Sequence, residues 1–290
     1  MSSVPMWVLV VGVLSGPSNT TESAQEQLSR ALTFHAGFDD TTDAAFAHGD
    51  PRIHTALKGK TEEGEVGLKR DDIDIVKNGG HYGGALRFRD SGNGFVYYQA
   101  QDNVYYRRKN WSGTMSIWLS LNPEKDLKPV YSDPLQVTDK KWNDASIWLD
   151  FSKDDKPRHF RLGVMSDEKL WNPQGLKWDD IPDKDRPLLT VKKPPFGSGR
   201  WTHIAITFSR FNNDSRSGRV HLYINGEPQG EMNGRRQVLS WSPKKATIRL
   251  GINYIGLMDD VAMFSRSLSA EEVKILYTLP HGVASLTKKR

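Results

Sequence analysis

Residues 246–277 read ATIRLGINYIGLMDDVAMFSRSLSAEEVKILY, and the local chemistry of this run decides the fold. Ala246, Ile248 and Leu250 alternate with Thr247 and Arg249 up to Gly251, the two-residue period of a strand entering a turn. A second alternating run follows over 257–264, placing Asp259, Val261 and Met263 on one face and Asp260, Ala262 and Phe264 on the other. A short helix closes the stretch. Ser269 caps it, Glu272 three positions on completes a capping box, Leu268 staples against Val273, and Pro280 stops the next turn.

Working outward, the same period recurs in five upstream segments. Met115, Ile117, Leu119 and Leu121 alternate with Ser116, Trp118 and Ser120; Ala145, Ile147, Leu149 and Phe151 alternate with Ser146, Trp148 and Asp150. Phe160, Leu162 and Val164 alternate with His159, Arg161 and Gly163. Ile204, Ile206 and Phe208 alternate with His203 and Ala205 after Trp201, and Val220, Leu222 and Ile224 alternate with His221 and Tyr223. Asn225-Gly226 then supplies a hairpin turn whose central residues take positive φ. Residues 31–40 read as the first strand, with Asp39 and Asp40 at its exit, and residues 85–89 and 94–100 read as a pair around the turn at 90–94. The long polar segment 41–80 should hold small strands near 64–69 and 73–77, and 166–199, with Trp171, Trp178 and its prolines, reads as a surface loop.

Four strings in this pattern carry a resemblance: Gly83-Gly-Ala-Leu-Arg-Phe, Gly199-Arg-Trp-Thr-His-Ile-Ala-Ile-Thr-Phe, Val220-His-Leu-Tyr-Ile-Asn-Gly-Glu, and the Asp259-Asp260 strand with the Ser-Arg-Ser-Leu-Ser-x-Glu-Glu-Val helix start. Together the chain resembles a LamG-like, concanavalin A-like jelly-roll domain. The resemblance implies an all-β, two-sheet antiparallel sandwich with a short C-terminal helix. Similar domains bind sugars, bind proteins or act as enzymes, so function has to be read from the site.

Composition narrows the field. The length of 290 residues suits one large β-domain, and the formal charge of +5 is spread over both signs without a basic stripe, which argues against nucleic acid. No apolar run is long enough for a spanning helix, and the chain has no cysteine, which removes disulfides and thiol chemistry. Residues 6–14 are apolar and are followed by small polar residues, so 1–15 reads as a signal peptide, 16–30 as a linker, 31–280 as the domain and 281–290 as a tail. The expected location is therefore secreted, periplasmic or cell-surface.

If the five alternating segments form one sheet, its non-core face collects Trp118, Trp148, Asp150, Arg161, His203 and Tyr223. Flat aromatics pack on sugar C–H faces and fixed polar groups bond hydroxyls, so this set is a candidate polysaccharide or glycoconjugate site, with Arg161 suited to a carboxylate or sulfate. Loops covering the tryptophans would remove that role. Asp259, on the apolar side of its strand, needs a partner. A structural calcium ion shared with Asp39 or Asp40 would satisfy it if the first and last strands are neighbours, and similar domains sometimes hold such an ion at an aspartate opening the last strand; backbone N–H groups holding a turn would satisfy it as well. The glucanase string Glu-x-Asp-x-x-Glu is absent. The reading is a non-catalytic recognition module. Its alternatives are a lyase on uronate-containing glycans, using Tyr223, His203, His221 and Arg161, and a protein-interaction module contacting a partner through Trp171 and Trp178.

Overall fold

The computed structural model describes residues 23–56, 64–92 and 94–287. Two antiparallel sheets face each other, their strands numbered along the chain. The first runs in the spatial order β15 (Glu227–Arg235), β14 (Gly218–Ile224), β13 (Trp201–Phe211), β8 (Trp111–Ser120), β17 (Gly256–Phe264), β1 (Leu32–Ala36) and β2 (Phe46–Ala47). Strand β6 (Ala85–Phe88) pairs with the opening residues of β17, and β5 (Ile73–Val76) pairs with β6. The second sheet runs β12 (Leu188–Val191), β11 (Phe160–Met165), β10 (Ser146–Phe151), β9 (Ser132–Thr138), β16 (Thr247–Ile252), β7 (Phe95–Gln99), β3 (His54–Ala56) and β4 (Glu65–Val66). Helices α1 (Ala24–Ala31), α2 (Pro123–Asp126), α3 (Glu168–Trp171), α4 (Ala270–Tyr277) and α5 (Ala284–Thr287) complete the described residues.

This is the jelly-roll sandwich, and the two-residue period explains its core. Ile117, Leu119, Ile204 and Ile206 from the first sheet meet Leu149, Leu162, Ile248 and Leu250 from the second in one buried cluster. Each such side chain contributes roughly 1.5–3 kcal/mol on leaving water. The outer face of the first sheet is apolar as well. Ala205, Tyr223, Ala262 and Phe264 are covered by Leu28 of α1, Val273 and Leu276 of α4, and Leu286 of α5. The first sheet is therefore covered on its outer face where β1, β17, β8 and β13 run beneath the helices, while Trp148, Gln136 and Arg249 of the second sheet line an open cavity.

Local signals hold at the helix and hairpin. Ser269 accepts from the Glu272 N–H while Glu272 accepts from the Ser269 N–H, closing the expected capping box. Asn225 and Gly226 both have positive φ, 52° and 78°, as the β14–β15 turn requires.

Several boundaries differ from the sequence reading. The segment 16–30, read as a linker, holds most of α1, which opens on a Ser23–Glu26 capping box and fully buries Leu28. The 281–290 tail likewise contains α5, with Val283 and Leu286 buried, so the folded unit extends past 31–280 at both ends. Residues 85–88 and 95–99 are not partners. β6 pairs with β17 and β5 in one sheet, and β7 with β16 and β3 in the other, because the intervening turn crosses between layers. Within 166–199, residues 188–191 form an edge strand on β11. The signal-peptide expectation for 1–15 lies outside the described residues.

Candidate functional site

The six expected binding residues do not share a face. Trp118, His203 and Tyr223 belong to the first sheet, whereas Trp148, Asp150 and Arg161 belong to the second. Alternation places a side chain inward or outward on its own sheet, but it does not say which sheet, and that is where the single-face expectation breaks.

The first group is sealed. Trp118 is 3% exposed, stacked on His81 with ring centroids 3.7 Å apart and facing Tyr277 of α4 at 5.6 Å. His203 is fully buried beside it, its Nε2 2.8 Å from Ser116 Oγ, and burial lowers its pKa to about 3, so it is neutral. Tyr223 packs under the helices. The lyase constellation fails on the same ground: Tyr223, His203 and His221 lie on the first sheet and Arg161 on the second.

The second group forms a groove. A cavity of about 660 Å³ on the outer face of the second sheet is lined by Tyr131, Asp133, Gln136, Trp142, Trp148, Asp150, Arg161, Trp178 and Arg249, among others, a size in the range of small-molecule sites. Trp148, Gln136 and Arg249 of its floor belong to one register row. Gly163, Trp148, Gln136, Arg249, Tyr97 and His54 lie opposite one another on β11, β10, β9, β16, β7 and β3. Gly163 makes room for the indole, because a Cβ there would sit 2.2 Å from Trp148 Cε2.

Aromatic side chains form one wall. Trp148 donates its indole N–H to Trp142 O at 2.9 Å, and Trp142, 43% exposed, packs edge-on against both Trp148 and Trp178. Arg161 and Asp150 join across paired positions, Nε to Oδ1 at 2.7 Å and Nη2 to Oδ2, while the guanidinium lies 4.8 Å from the Tyr131 ring centroid. Burial works against the Arg161 charge, but Asp150 more than offsets it and its pKa lies above the ordinary value. Burial raises the Asp150 carboxyl against the pull of Arg161, and burial together with Asp150 pushes Asp133 well above the usual carboxylate range. The groove thus offers flat apolar surface beside fixed donors and acceptors.

Sequence reasoning missed Tyr131, Asp133, Gln136, Trp142 and Arg249. Arg249 carried a signal, since it is out of phase with Ile248 and Leu250 and must face outward. β9 lacked a clean alternation, so its polar residues were not placed.

Asp39 and Asp259 do converge. β1 and β17 are neighbours, and the two carboxylates flank the glycine-rich loop 79–84. Asp259 Oδ2 accepts from the Tyr82 N–H at 2.8 Å, and Asp39 Oδ1 accepts from the Gly84 N–H at 2.9 Å. Gly83, at φ 65°, allows this approach. Asp259 points away from the core, opposite Trp118, because the left-handed Asp260 (φ 52°) inserts a bulge that reverses the phase before Val261. The expected pairing of Asp259 with Val261 and Met263 on one face is corrected accordingly. Burial, Asp260 and Asp39 push the Asp259 pKa up to about 8, and its Oδ1 is buried with no hydrogen-bond partner. Among the described residues no cluster of three acidic or histidine ligands surrounds it.

A family model described as the concanavalin A-like lectin/glucanases superfamily matches residues 92–274, and the chain belongs to that superfamily. Among solved structures, domain 4 of an extracellular GH43 arabinanase from Geobacillus stearothermophilus, in complex with arabinotriose, is similar at a TM-score of 0.51 and 17% identity, covering 84% of this chain and 97% of that one. The botulinum neurotoxin serotype D binding domain is similar at 0.54 and 14%, covering 88% of this chain and 52% of that one. The serotype D ligand-binding domain with N-acetylneuraminic acid gives 0.52 and 12%, covering 88% and 52%. At these identities the likeness is one of fold. Comparison with curated protein sequences finds no match.

Proposed function

We propose that the chain is a non-catalytic carbohydrate-recognition module that holds a polysaccharide or glycoconjugate in the groove of the second sheet. The observation that carries this is Trp142, a large exposed indole at the mouth of a cavity whose floor supplies Trp148, Gln136, Asp150 and Arg161. The arabinose oligomer bound to the arabinanase domain and the sialic acid bound to the toxin domain support a sugar as ligand class. They also favour a secreted, periplasmic or cell-surface setting. Among the described residues no helix is long and apolar enough to cross a membrane. Affinity electrophoresis through a panel of polysaccharides tests the reading: at least one should retard the protein, and Trp142→Ala should release it. Passage at the same rate through every gel would remove the groove assignment.

We further propose that the Asp39–Asp259 pair is where a calcium ion would bind, with the free Asp259 Oδ1 as its buried donor. Such an ion would be structural, since it would tie the end of β1 to the start of β17. Protonation of Asp259, with its backbone bond holding the loop, is the competing state.

A further inference from the structure

We infer that the groove takes an acidic glycan, and that Arg249 receives its carboxylate or sulfate. This rests on the groove reading above and names the ligand class within it.

Arg249 carries a charge with no ion-pair partner among the described residues. Arg249 sits on β16 in the floor row, two strands from Trp148, its guanidinium 5.1 Å from the Phe95 ring centroid. Burial lowers its pKa to about 10. Its hydrogen bonds run to Gln136 Oε1 at 2.9 Å, Thr247 Oγ1 at 3.0 Å and the Lys140 carbonyl at 3.3 Å, all neutral oxygens. Asp139 raises its pKa electrostatically without forming an ion pair with it: one oxygen of that carboxylate accepts from the Ser242 N–H and the other is buried without a hydrogen-bond partner. Arg161, by contrast, has its charge matched by Asp150, which takes its Nε and Nη2. The sequence expectation that Arg161 meets the anion is thus replaced by Arg249.

Position supports the same assignment. Arg249 lines both the main groove and a second cavity of about 330 Å³, where Lys140, Lys244 and Lys245 stand against the single carboxylate Asp139, whereas the indoles Trp142, Trp148 and Trp178 line the main groove alone. Strands lie about 4.8 Å apart, which sets Arg249 roughly 10 Å from Trp148 along the row. A sugar stacked on the Trp142–Trp148 wall can therefore extend a neighbouring residue's anionic group to Arg249. A buried guanidinium with no direct ion pair is costly, and a ligand anion offsets that cost on binding.

The test uses matched polymers: polygalacturonate against its carboxyl-reduced form, and dextran sulfate against dextran. The parent should bind the charged member of at least one pair about 10-fold more tightly, as a charge-assisted bond implies. In Arg249→Gln that ratio should fall toward one, while Arg249→Lys should keep most of it, with thermal melts showing both variants folded. An equal preference in parent and Arg249→Gln, or no preference in either pair, overturns the inference while leaving the groove intact. Failure of all four polymers to bind while another polysaccharide of the panel retards the protein overturns the inference alone, and passage through the whole panel removes the groove reading with it.

Discussion

Arg161 and Asp150 occupy paired positions on β11 and β10 and share two hydrogen bonds, one of them Nε to Oδ1 at 2.7 Å, under the Tyr131 ring. Neither group is free to act on a ligand as a charge. Together they fix the groove floor. Asp150→Ala would leave a largely buried guanidinium uncompensated, and it should cost roughly 3 kcal/mol in urea unfolding. The double replacement by apolar residues should recover part of that loss.

The two tryptophan sites should separate binding from stability. Trp142→Ala removes an exposed ring and should abolish polysaccharide retention with little change in melting temperature. Trp118→Ala empties a sealed position between His81 and Tyr277 and should cost roughly 3–5 kcal/mol. Retarded electrophoresis with a lowered melt identifies it as structural.

Gly163→Ala tests the floor row. Its added carbon would overlap the Trp148 ring at 2.2 Å, so the indole must turn out of place. Weaker glycan retention is expected together with a lower melting temperature, and unchanged retention would mean that Trp148 does not need this pose.

Asp259 sets a pH dependence whose sign is fixed. Its carboxyl is raised in the folded state to about 8, whereas the unfolded chain ionises it near the usual value of about 4. Stability should therefore fall as pH rises from about 4 to about 8, where the unfolded state loses its proton first. Asp259→Asn should flatten that part of the melting profile. Calcium, by favouring the ionised form, should raise the melt at the upper end, and chelator should reverse the rise. Identical melts with calcium and with chelator would leave protonation and the Tyr82 bond as the whole account.

Much of the fold was legible in the sequence because it rests on local rules. The Ser269–Glu272 cap, the Asn225-Gly226 turn and the inward set around Ile117 and Ile204 each follow from period and propensity. The candidate groove was half legible. Trp148, Asp150 and Arg161 were picked correctly as outward residues of their strands, but so were Trp118, His203 and Tyr223, and nothing in the alternation told the sheets apart. What separates them is the covering layer, supplied by α1, α4 and α5 from both ends of the described chain. Asp259 was misplaced by one residue of phase, since a bulge at a non-glycine residue leaves no mark in the period. Trp142 and Tyr131 sit beside strands rather than in them, so only the folded chain brings them to the groove.

The claim that matters most is that the ligand face belongs to the second sheet. Indole N–H resonances, assigned by single Trp→Phe variants, report on it during titration with a retarding polysaccharide. The account predicts that Trp142, Trp148 and Trp178 shift while Trp118 stays still; a moving Trp118 with unmoved groove indoles would contradict it.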